Sequence, residues 1–299
     1  MIAIENLTKK FDNGSVAVDS INLDIRDGEI MGFAGLNGAG KTTTIRIIAG
    51  LTRPTAGRVL IDGHDIVTEK VAASSAIGMV PEFTFFDRQS NPIQLLTYFA
   101  GFYGIGKRTA FNRIEELLKQ FSLYSNRFEK LGNFSQGMLK RFSIVASLLN
   151  DPKNLVLDEV LNGLDPDGIR ILRSMLRDMR MQGKSIFLST HILTELEGIA
   201  DRIAIIHRGR IAKVIDTREI FDVKGKKIII RIENPDERID QILGKFGIVE
   251  RNSKNFVLNN TSTEISILNS ELTTMGYRIS ELRNEGRSLE DLFFKLVNE

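Results

Sequence analysis

The chain has 299 residues, 42% of them hydrophobic and 26% charged, which suits a soluble globular protein with one large and one small domain, or two modest ones. With 40 basic residues against 38 acidic ones the net charge is +2, which argues against a chain built to coat nucleic acid. There is no cysteine, so disulfides and thiolate metal sites are excluded.

Met1 leads into Ile2-Ala3-Ile4-Glu5-Asn6-Leu7, which has neither the basic front nor the apolar run of a signal peptide. Ile30–Ala34 reads as a buried strand and Thr42–Ala49 as a helix. Arg58–Ile61 is a strand closed by the turn Asp62-Gly63, and Ile77–Val80 is another. The longest uncharged stretch, Gln89 to Gly106, opens on Ser90, Asn91, Pro92 and Gln94. Its apolar part falls short of the about 20 residues that cross a bilayer, so any membrane role has to come through a partner. Residues 91–150 read as largely helical. Asn154–Leu157 and Ser185–Leu188 read as strands with a helix, Pro166–Met181, between them. Ile203–Ile206 and Arg210–Val214 face each other across a turn at Gly209, like a hairpin. Strands alternating with helices imply an α/β core with a largely parallel sheet. After Thr217 the texture changes. Lys226–Ile232 and Phe256–Leu258 read as strands, Ile239–Phe246 as a short helix and Ser288–Val297 as an amphipathic helix. Residues 217–299 are therefore read as a small α+β domain behind a first domain of residues 1–216.

Gly35-Leu36-Asn37-Gly38-Ala39-Gly40-Lys41-Thr42, followed by Thr43, fits the pattern G-x-x-x-x-G-K-[ST]. It stands between a predicted strand and a predicted helix, the context this motif requires. The glycines let backbone N–H groups turn inward around phosphate oxygens, and the helix N-terminus adds about half a positive charge. Lys41 can reach the β- and γ-phosphates of a nucleotide, and the Thr42 hydroxyl can ligate Mg²⁺. A glycine-rich turn without a ligand is the bland alternative. Leu155-Val156-Leu157-Asp158-Glu159 brings two carboxylates to the C-terminal end of a strand, where α/β proteins bind ligands. Asp158 suits a Mg²⁺ shell and Glu159 can polarise an attacking water. Taken alone, the same pair also fits a solvated loop.

Five further segments, in order along the chain, resemble those of ABC transporter ATP-binding subunits. Phe11, in Lys10-Phe11-Asp12, resembles the aromatic that stacks on adenine. Glu82, after Gly78-Met79-Val80-Pro81, stands where the family has its Q-loop glutamine. Asn133-Phe134-Ser135-Gln136-Gly137-Met138 resembles the signature motif, Leu164-Asp165 the D-loop and Ser189-Thr190-His191 the H-loop. Together with the C-terminal Ser288-Leu289-Glu290-Asp291-Leu292-Phe293, the pattern is most similar to the drug-resistance type of exporter ATPase. The resemblance implies a P-loop, ABC-type ATPase core with an antiparallel β subdomain and a helical subdomain at about 83–150, followed by the small α+β domain. It implies ATP and Mg²⁺ as ligands, with Glu82 joining Thr42 and Asp158 around the metal. Lys41, Glu159 and His191 would be catalytic. Ser135, Gln136, Gly137 and Asp165 would meet a second ATP-binding subunit, identical or not. A separate transmembrane permease is the other implied partner, holding the chain at the cytoplasmic face of the cell membrane. No nucleic acid is expected.

Plain physical readings stand beside these roles. Ser135 is a good N-cap for a helical pattern over Met138–Leu149, and Asp165-Pro166 is a helix start. Phe11 could be a core aromatic, and the stripe Ile93, Leu96, Phe99, Ala100 and Tyr103 reads mostly as core. Three departures from the family pattern stand out: Glu82 for glutamine, Gln136 and Met138 in the signature, and Val160-Leu161 after Glu159. None removes a catalytic group. Rival readings are a soluble ABC ATPase that remodels nucleic acid or ribosomes, a small-molecule kinase and an inactive regulatory subunit. The first usually carries two cassettes or a long coiled coil, neither of which is seen here. The second needs no Ser135, Asp165 and His191 set. An intact Lys41, Asp158 and Glu159 argue against the third.

Overall fold

The computed structural model describes residues 1–218, 226–252, 255–261, 263, 265–285 and 293. It divides the chain into two units, Met1–Ile215 and Asp216–Glu299.

The first unit opens on a strand pair that the sequence reading left unassigned. β1 (Ile2–Lys10) runs antiparallel to β2 (Val16–Ile25), from Ile2 opposite Ile25 to Lys10 opposite Val16. β1 also pairs with β4 (Ala56–Ile61), and β5 (His64–Asp65) closes a four-stranded antiparallel sheet of order β2-β1-β4-β5. The second sheet has six strands in the order β10-β9-β3-β8-β7-β6. β3 (Ile30–Ala34), β6 (Ile77–Val80), β7 (Asn154–Asp158), β8 (Ser185–Thr190) and β9 (Arg202–His207) run parallel. β3, β7 and β8 are buried at every position, which explains their continuous apolar runs. β10 (Arg210–Asp216) returns beside β9 through Arg208-Gly209, whose φ values of 48° and 79° meet the demand of a two-residue hairpin turn.

Helices cover these strands. α1 (Lys41–Ile48) follows β3 and buries Ile45, Ile47 and Ile48 in one core with Phe33 and Phe187, whose ring centroids lie 4.9 Å apart. α2 (Lys70–Ser75) is a short turn before β6. Between β6 and β7 the chain makes three helices. α3 (Pro92–Phe102) starts with a capping box of Asn91 and Gln94 and a proline in its first turn. α4 (Lys107–Gln120) and α5 (Gln136–Ser147) complete the helical region, and Ser135 caps α5 by accepting from the Met138 N–H. α6 (Pro166–Met181) is capped by Asp165, as its sequence predicts. Among the described residues no helix is long and apolar enough to cross a membrane.

The second unit builds its own core. β11 (Lys226–Ile232), α7 (Ile239–Leu243), β12 (Ile248–Asn252), β13 (Asn255–Thr261), α8 (Ile265–Thr274) and β14 (Ile279–Glu285) follow a β-α-β-β-α-β course. The strands lie in the order β12-β13-β11-β14, each pair antiparallel. Ile228, Ile230 and Ile232 alternate inward along β11 and meet Phe256, Leu258, Leu268 and Leu272. The expected helix over Ile239–Phe246 is shorter, ending at Leu243 before Gly244. The expected helix over Ser288–Val297 lies outside the described residues except for Phe293.

Candidate nucleotide site

The loop from Gly35 to Gly40 connects the end of β3 to the start of α1, at the C-terminal edge of the parallel strands. Its glycines are dictated by close approach. A Cβ at Gly35 would stand 2.5 Å from the Ile206 carbonyl oxygen, and one at Gly40 would stand 2.4 Å from that of Ala17. Gly40 also holds φ 112°, outside the range that L side chains favour. We therefore expect Gly40→Ala to cost about 1–2 kcal/mol for the backbone alone, with the clash on top. Thermal denaturation should show the loss, and ATP affinity should fall with it. An unshifted melt would contradict the close approach.

Lys41 does not point to solvent. Its ammonium donates to the carbonyls of Gly35 at 2.8 Å and Leu36 at 3.3 Å, and lies 3.3 Å from Glu159 Oε1. Both side chains are buried. Glu159 collects two more partners on its other oxygen. His191 Nδ1 is 2.9 Å from Oε2, and the Asn162 side-chain amide donates to it at 3.0 Å. Asn37, Gly38, Gly40, Lys41, Thr42, Thr43, Glu82, Glu159, Asn162 and His191 line a single cavity of about 420 Å³. With Ala17, residues scattered from position 17 to 191 thus converge on this cavity.

Glu159 has φ 45°, a left-handed conformation uncommon for a residue with a Cβ. Strain of this kind costs about 1–3 kcal/mol and collects at functional sites. Ser189, on the neighbouring strand, stabilises it. Its buried hydroxyl donates to Asp158 Oδ1 at 2.7 Å and accepts the Glu159 N–H at 3.1 Å. One hydroxyl therefore orients both acids. Thr190 donates to Glu195 at 2.6 Å, which anchors the segment entering His191.

Negative charge is crowded here. Burial pushes the Asp158 carboxyl up, against the Ser189 hydrogen bond, and the Glu159 carboxylate adds to the rise. Burial also raises Glu82, reinforced by Glu159 and Asp158 and opposed by Lys140 and Lys41. Carboxyls raised in the folded state weaken folding as pH climbs through their folded pKa, so the cluster costs stability at neutral pH unless a cation joins it. Among the described residues no group of three or more His, Asp or Glu side chains holds a metal by itself. Mg²⁺ keeps waters and phosphate oxygens and takes only a few protein oxygens. The Thr42 hydroxyl and the Glu82 and Asp158 carboxylates are hard oxygen donors of the right kind.

The other expected site residues lie elsewhere. Ala39 shapes the loop through its backbone, donating to the Leu36 carbonyl and accepting from Gly209. Asp158 is buried and does not itself line the cavity. Phe11 is 42% exposed, with the Lys9 ammonium 5.3 Å from its ring centroid, and does not line the cavity. Ser135, Gln136, Gly137 and Asp165 also stand apart from the cavity and close to one another. An added Cβ at Gly137 would lie 3.8 Å from the Asp165 nitrogen, and Arg141 on α5 binds Asp165 Oδ2 at 3.0 Å. Sequence reasoning missed Asn162, the linking role of Ser189, and Lys140. For Lys140 the local sequence carries little signal: Arg141 follows it, and its same-face neighbours are Gln136, Gly137, Ser143 and Ile144.

A parallel sheet with a glycine-rich loop cradling a lysine and a carboxylate at the strand ends defines a P-loop nucleotide-binding protein. The ABC transporter family profile matches residues 18–162. The uncharacterized ABC transporter ATP-binding protein YhcH of Bacillus subtilis is 31% identical over 306 residues, covering 100% of this chain and 96% of that protein. The bacitracin transport ATP-binding protein BcrA of Bacillus licheniformis is 32% identical over 302 residues, covering 99% and 97%. A solved ATP-binding subunit of an ABC transporter superposes with a TM-score of 0.70 at 24% identity, covering 91% of this chain and 99% of that one. The chain belongs to the ABC transporter ATP-binding proteins, and it is an ATPase that serves transport.

Proposed function

We propose that hydrolysis takes place at two composite sites, each made from the phosphate loop of one subunit and the Ser135 segment of another. The observation that carries this reading is the Glu159 carboxylate, held between Lys41, His191 and Asn162 in the phosphate-loop cavity. Loop amides and Lys41 bind the β- and γ-phosphates. Thr42, Glu82 and Asp158 would hold Mg²⁺, which would supply neutralisation of phosphate charge. Glu159 orients the attacking water and takes up its proton, while His191 steadies the γ-phosphate. Ser135 caps α5, whose N-terminus favours anions, and it does not line the chain's own phosphate-loop cavity. It has no role in catalysis unless a second subunit brings it a γ-phosphate. Closure on ATP and reopening after hydrolysis would drive a separate permease at the cytoplasmic face of the membrane. Export is the direction favoured by the resemblance to drug-resistance ATPases.

Ser135→Arg tests the shared site. Placed in a Glu159→Gln background, it should keep the protein monomeric in ATP by size-exclusion chromatography with light scattering. A double variant that still pairs would overturn the composite arrangement. A chain ending near Thr217 should fold and bind ATP, because the first unit has its own core and the whole cavity lies within it. We assign the second unit to regulation or partner stability. A truncated chain that cannot bind ATP would overturn that division.

A further inference from the structure

Lys140 is buried in α5, five residues after Ser135, with no place in the roles above. Its ammonium donates to the carbonyl of Pro81 at 3.1 Å and to that of Glu82 at 2.8 Å. These two residues lead out of β6 into the segment that brings Glu82 to the cavity. Farther along the same segment, Phe86 meets Phe142 of α5 edge-on at 4.9 Å between centroids. The segment is otherwise open, with Phe83 71% and Phe85 94% exposed. An apolar side chain at position 140 could pack among its neighbours but would leave both carbonyls without this donor. Burying an ammonium is unfavourable without such partners, so the geometry calls for an explanation beyond packing.

We propose that Lys140 is a positioning residue: its buried ammonium ties the Pro81–Glu82 backbone to α5, so that Glu82 at the chain's own phosphate loop and Ser135 at the partner's nucleotide shift as one body. The two anchor points are about 7.5 Å apart along one helix, close enough to move rigidly together. A subunit that draws Glu82 toward its own nucleotide thereby re-aims the helix end it offers to its partner. The Ser135 half of this inference rests on the composite-site reading; the link from Lys140 to Glu82 does not.

Hydrogen–deuterium exchange and steady-state hydrolysis on the full chain test it, with Lys140→Met and Lys140→Arg. Lys140→Met should bind a fluorescent ATP analogue within about threefold of wild type, since the phosphate loop is untouched. Its kcat should fall about tenfold or more with little change in KM, as expected for misplaced catalytic groups. Amide exchange over residues 82–86 should become about tenfold faster, and Lys140→Arg should return both quantities most of the way, because a guanidinium can bond both carbonyls. Unchanged exchange over 82–86, or a wild-type kcat, in Lys140→Met overturns the proposal. A role limited to packing would instead loosen α5 as a whole and not separate kcat from KM. Should Lys140→Met fail to fold, Lys140→Gln, which keeps one amide donor, is judged by the same two readouts. Mg-ATP should also slow exchange at Ser135–Met138 in wild type and not in Lys140→Met. If the composite-site reading is what fails, wild type shows no slowing there and Glu159→Gln does not pair in ATP. Exchange over 82–86 would still tell Lys140→Met from wild type.

Discussion

Glu159→Gln should bind ATP and yet hydrolyse it about 10²–10⁴-fold more slowly than wild type, the usual cost of losing a general base. That corresponds to about 3–5 kcal/mol of barrier. The amide keeps the shape of the carboxylate, and its oxygen can still accept from Asn162 or Lys41, so the cavity should hold together. Nothing in the phosphate cradle itself is removed. ATP-bound subunits should therefore accumulate in the closed pair. Light scattering should report a dimer in ATP and a monomer in ADP, and a phosphate-release assay should report the lost turnover. A Glu159→Gln protein that stays monomeric in ATP and releases phosphate at the wild-type rate would remove Glu159 from catalysis and leave the small-molecule kinase reading stronger.

Lys41→Ala should weaken Mg-ATP binding by about 10²-fold, on the scale of one or two charge-assisted hydrogen bonds to the phosphates. The gain on binding is a net one. Without nucleotide the ammonium already has the Gly35 and Leu36 carbonyls and Glu159, and it must exchange these for phosphate oxygens. The substitution also strips Glu159 of its buried counter-charge, leaving His191 and Asn162 as partners. Some loss of stability should accompany the loss of affinity, since breaking a buried pair leaves an uncompensated charge. Titration with a fluorescent ATP analogue, checked by circular dichroism for an intact fold, measures the effect. An unchanged affinity would refute the assignment of Gly35–Thr42 as the phosphate loop.

The phosphate loop, the acid pair and the helix caps were legible because each is contiguous. Gly35 to Thr42 carries its own turn chemistry, and Asp158 and Glu159 follow directly on an apolar strand. Ser135 and Asp165 announce helix starts within four residues of what they cap. β1 and β2 were not legible, although they form half of the antiparallel sheet. Asn6 and Ser20 have φ values of 48° and 50°, and the register shifts between Ile4 and Leu7 and again beyond Leu7 break the two-residue alternation that marks a strand.

The class of chemistry was thus written locally, in a loop whose glycines, lysine and threonine stand next to one another. The arrangement that makes it a site was not. Asp158 and Ser189, 31 residues apart, meet because β7 and β8 pair in parallel with Asp158 opposite Ser189. Lys140 reaches the Glu82 carbonyl across 58 residues of chain because α5 packs behind β6. In the second unit the strand order β12-β13-β11-β14 brings β11 between two strands that follow it in sequence, again a matter of long-range pairing. Hydrogen-bond chemistry at short spacing follows from residue type and local dihedral preference. Which distant side chain completes a bond depends on how sheets register and cores fill, and that is decided only when the chain folds.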